Sequence, residues 1–539
     1  MLALAIIVAL AVQESALDQP VSPANVAAAS TLIGASFSAE EIELMLDDLR
    51  ENLASFEALR AIPLDNAIEP ALYFLPRRAQ HVGGEVDRLT RQPAPAGATP
   101  IARPADLEDL AYEDIMTLHH ALHGGTLTCV ELAEMFIGRL ERRDAELACV
   151  ISMTEERALA QARRLDAELS AGQSRGLLHG IPWVAKDLLA VRGTPTTWGA
   201  SPFEDQTLDL DAAVVEALDE AGAVLIAKVS LGALAWGDVW FGGQTKNPWD
   251  LKQGSSGSSA GPASAVAAGC APFGIGSETL GSIVSPSTRC GNSSLRPTFG
   301  RVSRHGAMTL SWSMDKLGPV CRSAADAGLV FDAIHGRDER DPTTASAPFD
   351  ALRAFDPSTQ RIGYLKELED DERYARVLEE LRRLEAELVP VELPDYPIGD
   401  MSFVLSAEAA SAFDEFSAGD MDDQLVRQSR DAWPNVFRLA RLIPAVDYLR
   451  ASRLRTLLIR DMQEALRGVD VLVHPSFARN LLTATNLTGH PTFVAPSGFA
   501  PDGTPYSISF TAKLFEESEL MSVARAWQAT TDYHLQHPQ

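Results

Sequence analysis

A chain of 539 residues with 46% hydrophobic content can bury a large core, with room for one big domain and an extension. Its 46 Lys and Arg against 74 Asp and Glu leave a formal charge of −28, which offers no electrostatic footprint for nucleic acid or anionic lipid. The five cysteines include no C-x-x-C pair, which argues against a disulfide framework or a zinc site and for buried free thiols.

The first element in the chain is an apolar run, Leu2–Val12. It is too short to span a bilayer but long enough for the hydrophobic region of a signal peptide, and Ala9, Leu10 and Ala11 offer small residues for cleavage. No Lys or Arg precedes it. Residues 1–19 are therefore read as a signal peptide and the protein as exported, periplasmic or secreted, with a cytoplasmic location as the alternative. No cysteine follows the run to carry a lipid, and no other stretch predicts a stable membrane span.

Ser38 and Glu41 make a capping box ahead of Ile42, Met45, Leu49, Leu53 and Phe56, and this spacing predicts a helix over 38–60. QPAPAGATPIARP, from Gln92 to Pro104, reads as a linker. Residues 20–104 then form a small helical extension, and 105–539 the main domain. In that domain Thr128 and Glu131 open a helix toward Leu140. Asp211–Ala221 is helical, Gly222 stops it, and Val224–Lys228 (VLIAK) follows as a buried strand. Val469–Pro475 (VDVLVHP) is another short buried strand, and 340–465 reads as mostly helical and charged. Helix-then-strand units of this kind predict an α/β fold with a covered sheet.

Three segments bear on chemistry. GIPWVAKD, Gly180–Asp187, is a short apolar strand that ends in Lys186. A lysine buried there favours its neutral amine, which is a usable base. GSSGSSAG, Gly254–Gly261, has the composition of a flexible linker. The small-residue text that follows instead predicts a tightly packed helix from Ala263 into a turn at Gly269. In GSETLGSIVSPSTRCG, Gly276–Gly291, Gly281 precedes Ser282, so the backbone can turn sharply and its N–H groups can converge as an anion nest. A serine at such a nest is placed to attack a carbonyl.

The order and spacing of these segments resemble the amidase signature family. The resemblance extends over NPWD, Leu295–Gly306, Met314–Ser323 and Asn486–Pro491, and so over about residues 105–535. It implies an α/β/α fold around a mixed, mostly parallel sheet. It further implies an amidohydrolase acting on a small-molecule amide, with Ser282 as nucleophile, Ser258 in a cis peptide as proton shuttle, and Lys186 as base. The backbone groups of Thr279, Leu280, Gly281 and Ser282 would form the oxyanion hole. The relay uses no metal or organic cofactor. Family text around the nucleophile is commonly D-T-G-G-S-I-R, whereas here Leu280 replaces a glycine and Val284 the arginine. Glu278 and Arg289 are expected to stand in for the usual acid–arginine pair.

Other readings compete. Gly257–Gly261 also matches the G-x-S-x-G of α/β-hydrolases, with Ser259 as nucleophile, but that chemistry requires a histidine. The amidotransferase component that releases ammonia from glutamine for charged tRNA shares the signature, and a catalytically dead binding protein could be built on it. His119 and His123, four apart, lack a third metal ligand and are read as a solvated face. The sequons at Asn292 and Asn486 lie within family text and are read as structural, as is Lys228. Oligomeric state is left open.

Overall fold

The structure is a computed structural model that describes residues 21–65, 67–72 and 102–538. The apolar run Leu2–Val12 and most of the linker segment 92–104 lie outside the described residues, and with them the expectation of a signal peptide.

Eleven strands build one sheet: β1 (Val150–Met153), β2 (Pro182–Lys186), β3 (Val224–Val229), β8 (Phe273–Glu278), β9 (Ser293–Arg296), β10 (Lys316–Cys321), β11 (Arg361–Tyr364), β12 (Glu387–Pro390), β13 (Val471–Pro475), β14 (Thr492–Phe499) and β15 (Pro505–Ala512). Their order is β1-β3-β2-β8-β10-β9-β14-β15-β13-β11-β12. Two small ribbons stand apart, β4 (Val239–Trp240) with β5 (Gly243–Gln244), and β6 (Lys246–Asn247) with β7 (Asp250–Gly254). Strands β2, β3, β8 and β10 are buried along their whole length. This is why PWVAK and VLIAK read as unbroken apolar runs rather than alternating ones. Helices Cys129–Leu147 and Glu155–Ser170 pack on β3, and Ala260–Ala267 packs on β8 and β10.

The sheet is mixed, as expected, but it is not mostly parallel. Four of its ten neighbouring pairs are parallel: β2 with β3 and β8, and β11 with β12 and β13. β10 enters between β8 and β9 and runs antiparallel to both, while β14 and β15 form a hairpin. A hairpin can only be antiparallel, since a parallel return needs a long crossover. The 340–465 segment is mainly helical, yet it also supplies β11 and the edge strand β12, four residues each. Strands that short, flanked by charge, leave too little periodicity to read.

The capping boxes at Ser38/Glu41 and Thr128/Glu131 are both formed, and they open helices Ala39–Arg60 and Cys129–Leu147. The helix at 213–221 ends on Gly222 with φ 82°, the left-handed conformation that glycine adopts without strain. The helix placed from Ala263 begins three residues earlier, at Ala260. All five cysteines are free and buried. No described helix is long and apolar enough to cross a membrane.

Candidate active site

Lys186 closes β2 and is fully buried. Its Nζ lies 2.7 Å from Ser258 Oγ, 2.8 Å from Ser277 Oγ and 3.2 Å from Ser259 Oγ. Every close partner is a neutral oxygen. Burial drives the ammonium pKa well below its usual value, and the carboxylates of Asp315 and Glu278 only partly oppose this.

Ser258 follows a cis peptide from Gly257 and is 1% exposed. An added Cβ at Gly257 would stand 1.8 Å from the carbonyl oxygen of Gly237, so only glycine fits there. Ser259 begins the Ala260–Ala267 helix. Its hydroxyl donates to the Ser277 carbonyl (3.0 Å) and accepts from the Ser277 N–H (3.1 Å). With both capacities used in the interior, Ser259 is a strut rather than the exposed tip of a nucleophile elbow. Among the described residues, no histidine hydrogen-bonds to Ser258, Ser259 or Ser282.

The third segment turns at Gly281, φ 90°. Thr279, Leu280, Gly281 and Ser282 line a cavity of about 780 Å³. The backbone N–H groups of Leu280, Gly281 and Ser282 bond to no described residue, whereas those of Ile283 and Val284 donate to Glu278 Oε2 at 2.8 and 2.9 Å. Glu278 therefore gathers the next two N–H groups and leaves the preceding ones open to the cavity, a geometry suited to an oxyanion. The two serine loops are joined by the Ser259 N–H donating to the Ser282 carbonyl (3.1 Å) and by the Ser256–Ser285 hydroxyl contact (2.8 Å). Thr279 Oγ1 donates to Asp315 (2.6 Å), whose other oxygen accepts from the N–H groups of Leu310 and Ser311.

The amidase family model matches residues 131–521. The chain belongs to this family, the amidase signature enzymes. It is accordingly an enzyme of amide carbon–nitrogen bonds. Among curated relatives, a glutamyl-tRNA(Gln) amidotransferase component from Chloroflexus aggregans is 33% identical, covering 80% of this chain and 99% of its own. Its counterpart from Halorhodospira halophila is also 33% identical, covering 78% and 97%. Among solved structures, peptide amidase from Stenotrophomonas maltophilia superposes with a TM-score of 0.70 at 29% identity, over 80% of this chain and 99% of its own.

One expected pairing in this amidase is corrected. Glu278 does not meet Arg289, which is exposed and donates to Gln253 (2.7 Å). Its partner is Arg296 at the end of β9, at 2.6 Å with both side chains fully buried, and Asn486 adds a hydrogen bond of 2.7 Å. Burial pushes the Glu278 carboxyl pKa up, but Arg296 and the backbone N–H groups outweigh it and hold the carboxyl at about 2. Proximity in sequence suggested Arg289, whereas the sheet brings in Arg296 on β9, fourteen residues beyond Ser282. A lone arginine closing the otherwise uncharged run SSLRP was the available signal.

The histidine pair is corrected too. His119 is 3% exposed and its ring lies against that of His123 in a tilted arrangement with centroids 3.8 Å apart, so this is no solvated face. No group of metal-ligating side chains occurs among the described residues. Asn292 and Asn486 are wholly buried, in keeping with a structural role. So is Lys228, which pairs with Asp187 at 2.6 Å.

Proposed function

We propose that the chain hydrolyses a carboxylic amide through Ser282, Ser258 and Lys186. The observation that carries this is a fully buried lysine whose amine meets only neutral oxygens, with Ser258 Oγ the nearest at 2.7 Å. Ser282 Oγ adds to the carbonyl carbon while its proton passes to Ser258, whose own proton passes to neutral Lys186. The oxyanion accepts from the N–H groups of the 279–282 turn. The relay then runs backward, the leaving nitrogen takes a proton as the C–N bond breaks, and the acyl group stays as an ester on Ser282. Water attacks that ester by the same relay and releases the acid. Amines leave poorly without a delivered proton, so the relay matters most for amides. The turnover of a panel of amides, with Ser282→Ala as control, tests this. More than a few per cent of wild-type rate in Ser282→Ala removes Ser282 from the role.

Kinship supports a second reading. The curated relatives are named as amidotransferase components, and nearly their whole length is matched. On that reading the same machinery frees ammonia from glutamine for a partner. Glutamine turnover together with a co-purifying partner protein would carry it, while hydrolysis of simple amides by the isolated chain carries the first. The address of the chain belongs to the same choice. The run Leu2–Val12 speaks for export, and kinship with proteins that serve tRNA speaks for the cytoplasm. N-terminal sequencing of protein from its host separates the two.

A further inference from the structure

We infer that the N-terminal extension braces one wall of the substrate cavity, with Asp48 as the positioning residue that sets which amides fit. This rests on the amidase reading above. Leu405 on helix Phe403–Ala412, and Trp433 and Val436 on helix Trp433–Ala440, line the cavity. No described residue of 21–72 lines it, so this part of the extension reaches the cavity through that wall.

Behind the wall lies the helix Ala39–Arg60. Asn435, 1% exposed, donates from Nδ2 to Asp48 Oδ2 at 3.1 Å, and the next residue, Val436, faces the cavity. Ile42, Met45 and Leu46 pack against Leu439, and Phe56 sits edge-on to Phe403 with centroids 5.1 Å apart. On its other side the wall is pinned by the Trp433 indole N–H, which donates to the Leu234 carbonyl at 3.0 Å. Trp433 also meets Trp236, which lines the cavity too, with centroids 5.7 Å apart. Helix Trp433–Ala440 is thus held between the extension, through Asn435 and Leu439, and the core, through Trp433.

The contacts differ in weight. Arg430 bonds Asp48 and Glu51 at 2.8 and 2.9 Å, but its side chain is 42% exposed, so solvent screens these pairs. The Asn435 amide is different: its Nδ2 donates to the Arg430 carbonyl at 2.8 Å as well as to Asp48, so losing Asp48 strips one of two buried N–H groups of its acceptor, which is costly. The relatives complete their own fold without a counterpart to about a fifth of this chain. The family match begins at residue 131, so helix Ala39–Arg60 lies outside it.

The test uses the full chain with Asp48→Ala and Asp48→Asn, assayed on acetamide and on a bulky aromatic amide. Asp48→Ala should raise KM for the bulky amide about tenfold, with kcat and the acidic limb of the pH profile unchanged and acetamide turnover within about twofold. Asp48→Asn keeps a carbonyl acceptor for Asn435 and should restore the wild-type values. Equal losses on both amides, no loss on either, or an Asp48→Asn enzyme as poor as Asp48→Ala overturns the inference. Amide hydrogen exchange reads the brace apart from turnover. It should quicken over 433–440 in Asp48→Ala and stay unchanged in β2; unchanged exchange at 433–440 overturns the brace. An intact wild-type chain that turns over neither amide overturns the amidase reading instead, and the exchange result still stands.

Discussion

Lys186 and Lys228 sit on adjacent parallel strands, β2 and β3, with Ala185 opposite Lys228 in the register. Both are wholly buried, and burial lowers the pKa of both. They differ in company. Lys228 has a carboxylate, Asp187, at 2.6 Å, which opposes that lowering, and it also donates to the Pro195 carbonyl and Thr196. Asp187 is further tied to Thr197. Lys186 has three serine hydroxyls and no carboxylate within hydrogen-bond reach. Burial alone therefore does not make a base: a charge partner turns the same residue into a fastener, and hydroxyl partners leave its lone pair available.

The largest expected effect separates the two in chemistry. Lys186→Ala should cut amide hydrolysis about a thousandfold or more, with a smaller fall on the matching ester, whose alkoxide leaves without a delivered proton. The sign follows from the lowered pKa. The neutral, active amine gains population as pH rises, so the wild-type rate should climb with pH through the Lys186 pKa, and the variant should lose that limb. Equal modest losses on ester and amide with an unchanged profile would place Lys186 with Lys228 as structural.

The next effect separates them in stability. Lys228→Met strips Asp187 of its counter-charge in the interior and should cost about 3–5 kcal/mol in denaturant unfolding. Lys186→Met should not carry that cost, since no carboxylate is orphaned. Because the unfolded lysine binds a proton that the folded site rejects, wild-type stability should rise as pH climbs toward the ordinary lysine pKa. Unfolding midpoints at several pH values should show a flatter dependence in Lys186→Met.

A smaller effect concerns the carboxylate that shapes the turn at 279–282. Glu278, held at about 2 by Arg296 and backbone N–H groups, stabilises the fold above the ordinary glutamate pKa. That contribution should fade as pH falls from there toward about 2. Glu278→Gln should remove this acid dependence from the unfolding curve and slow turnover about tenfold by loosening the 279–282 turn. The smallest effect is expected at Arg289→Ala: its one described hydrogen bond is to Gln253 at the surface, so stability should move by less than about 0.5 kcal/mol. A large loss there would restore Arg289 as the partner of Glu278.

Much of this was local and therefore legible in the sequence. The capping boxes at Ser38 and Thr128, the stop at Gly222 and the apolar runs of β2 and β3 depend on residues within one turn or one strand of each other, so spacing alone determined them. The order of the lysine, the Gly/Ser loop and the Gly-Ser-Ile turn likewise named Lys186, Ser258 and Ser282 as candidates, and the fold places the first two 2.7 Å apart. What the tertiary structure decided involves partners far apart in the chain. Arg296 reaches Glu278 only because β9 lies beside β10 and β10 beside β8. Lys186 and Lys228 read alike as lysines at the ends of apolar strands, and only the fold assigned hydroxyls to one and a carboxylate to the other. The sheet's antiparallel majority and the seat of Asp48 against Asn435 are of the same kind. A residue's periodicity reports that it is buried, but the energy of a buried charge is set by whatever the fold brings within a few ångströms of it, and no local pattern encodes that.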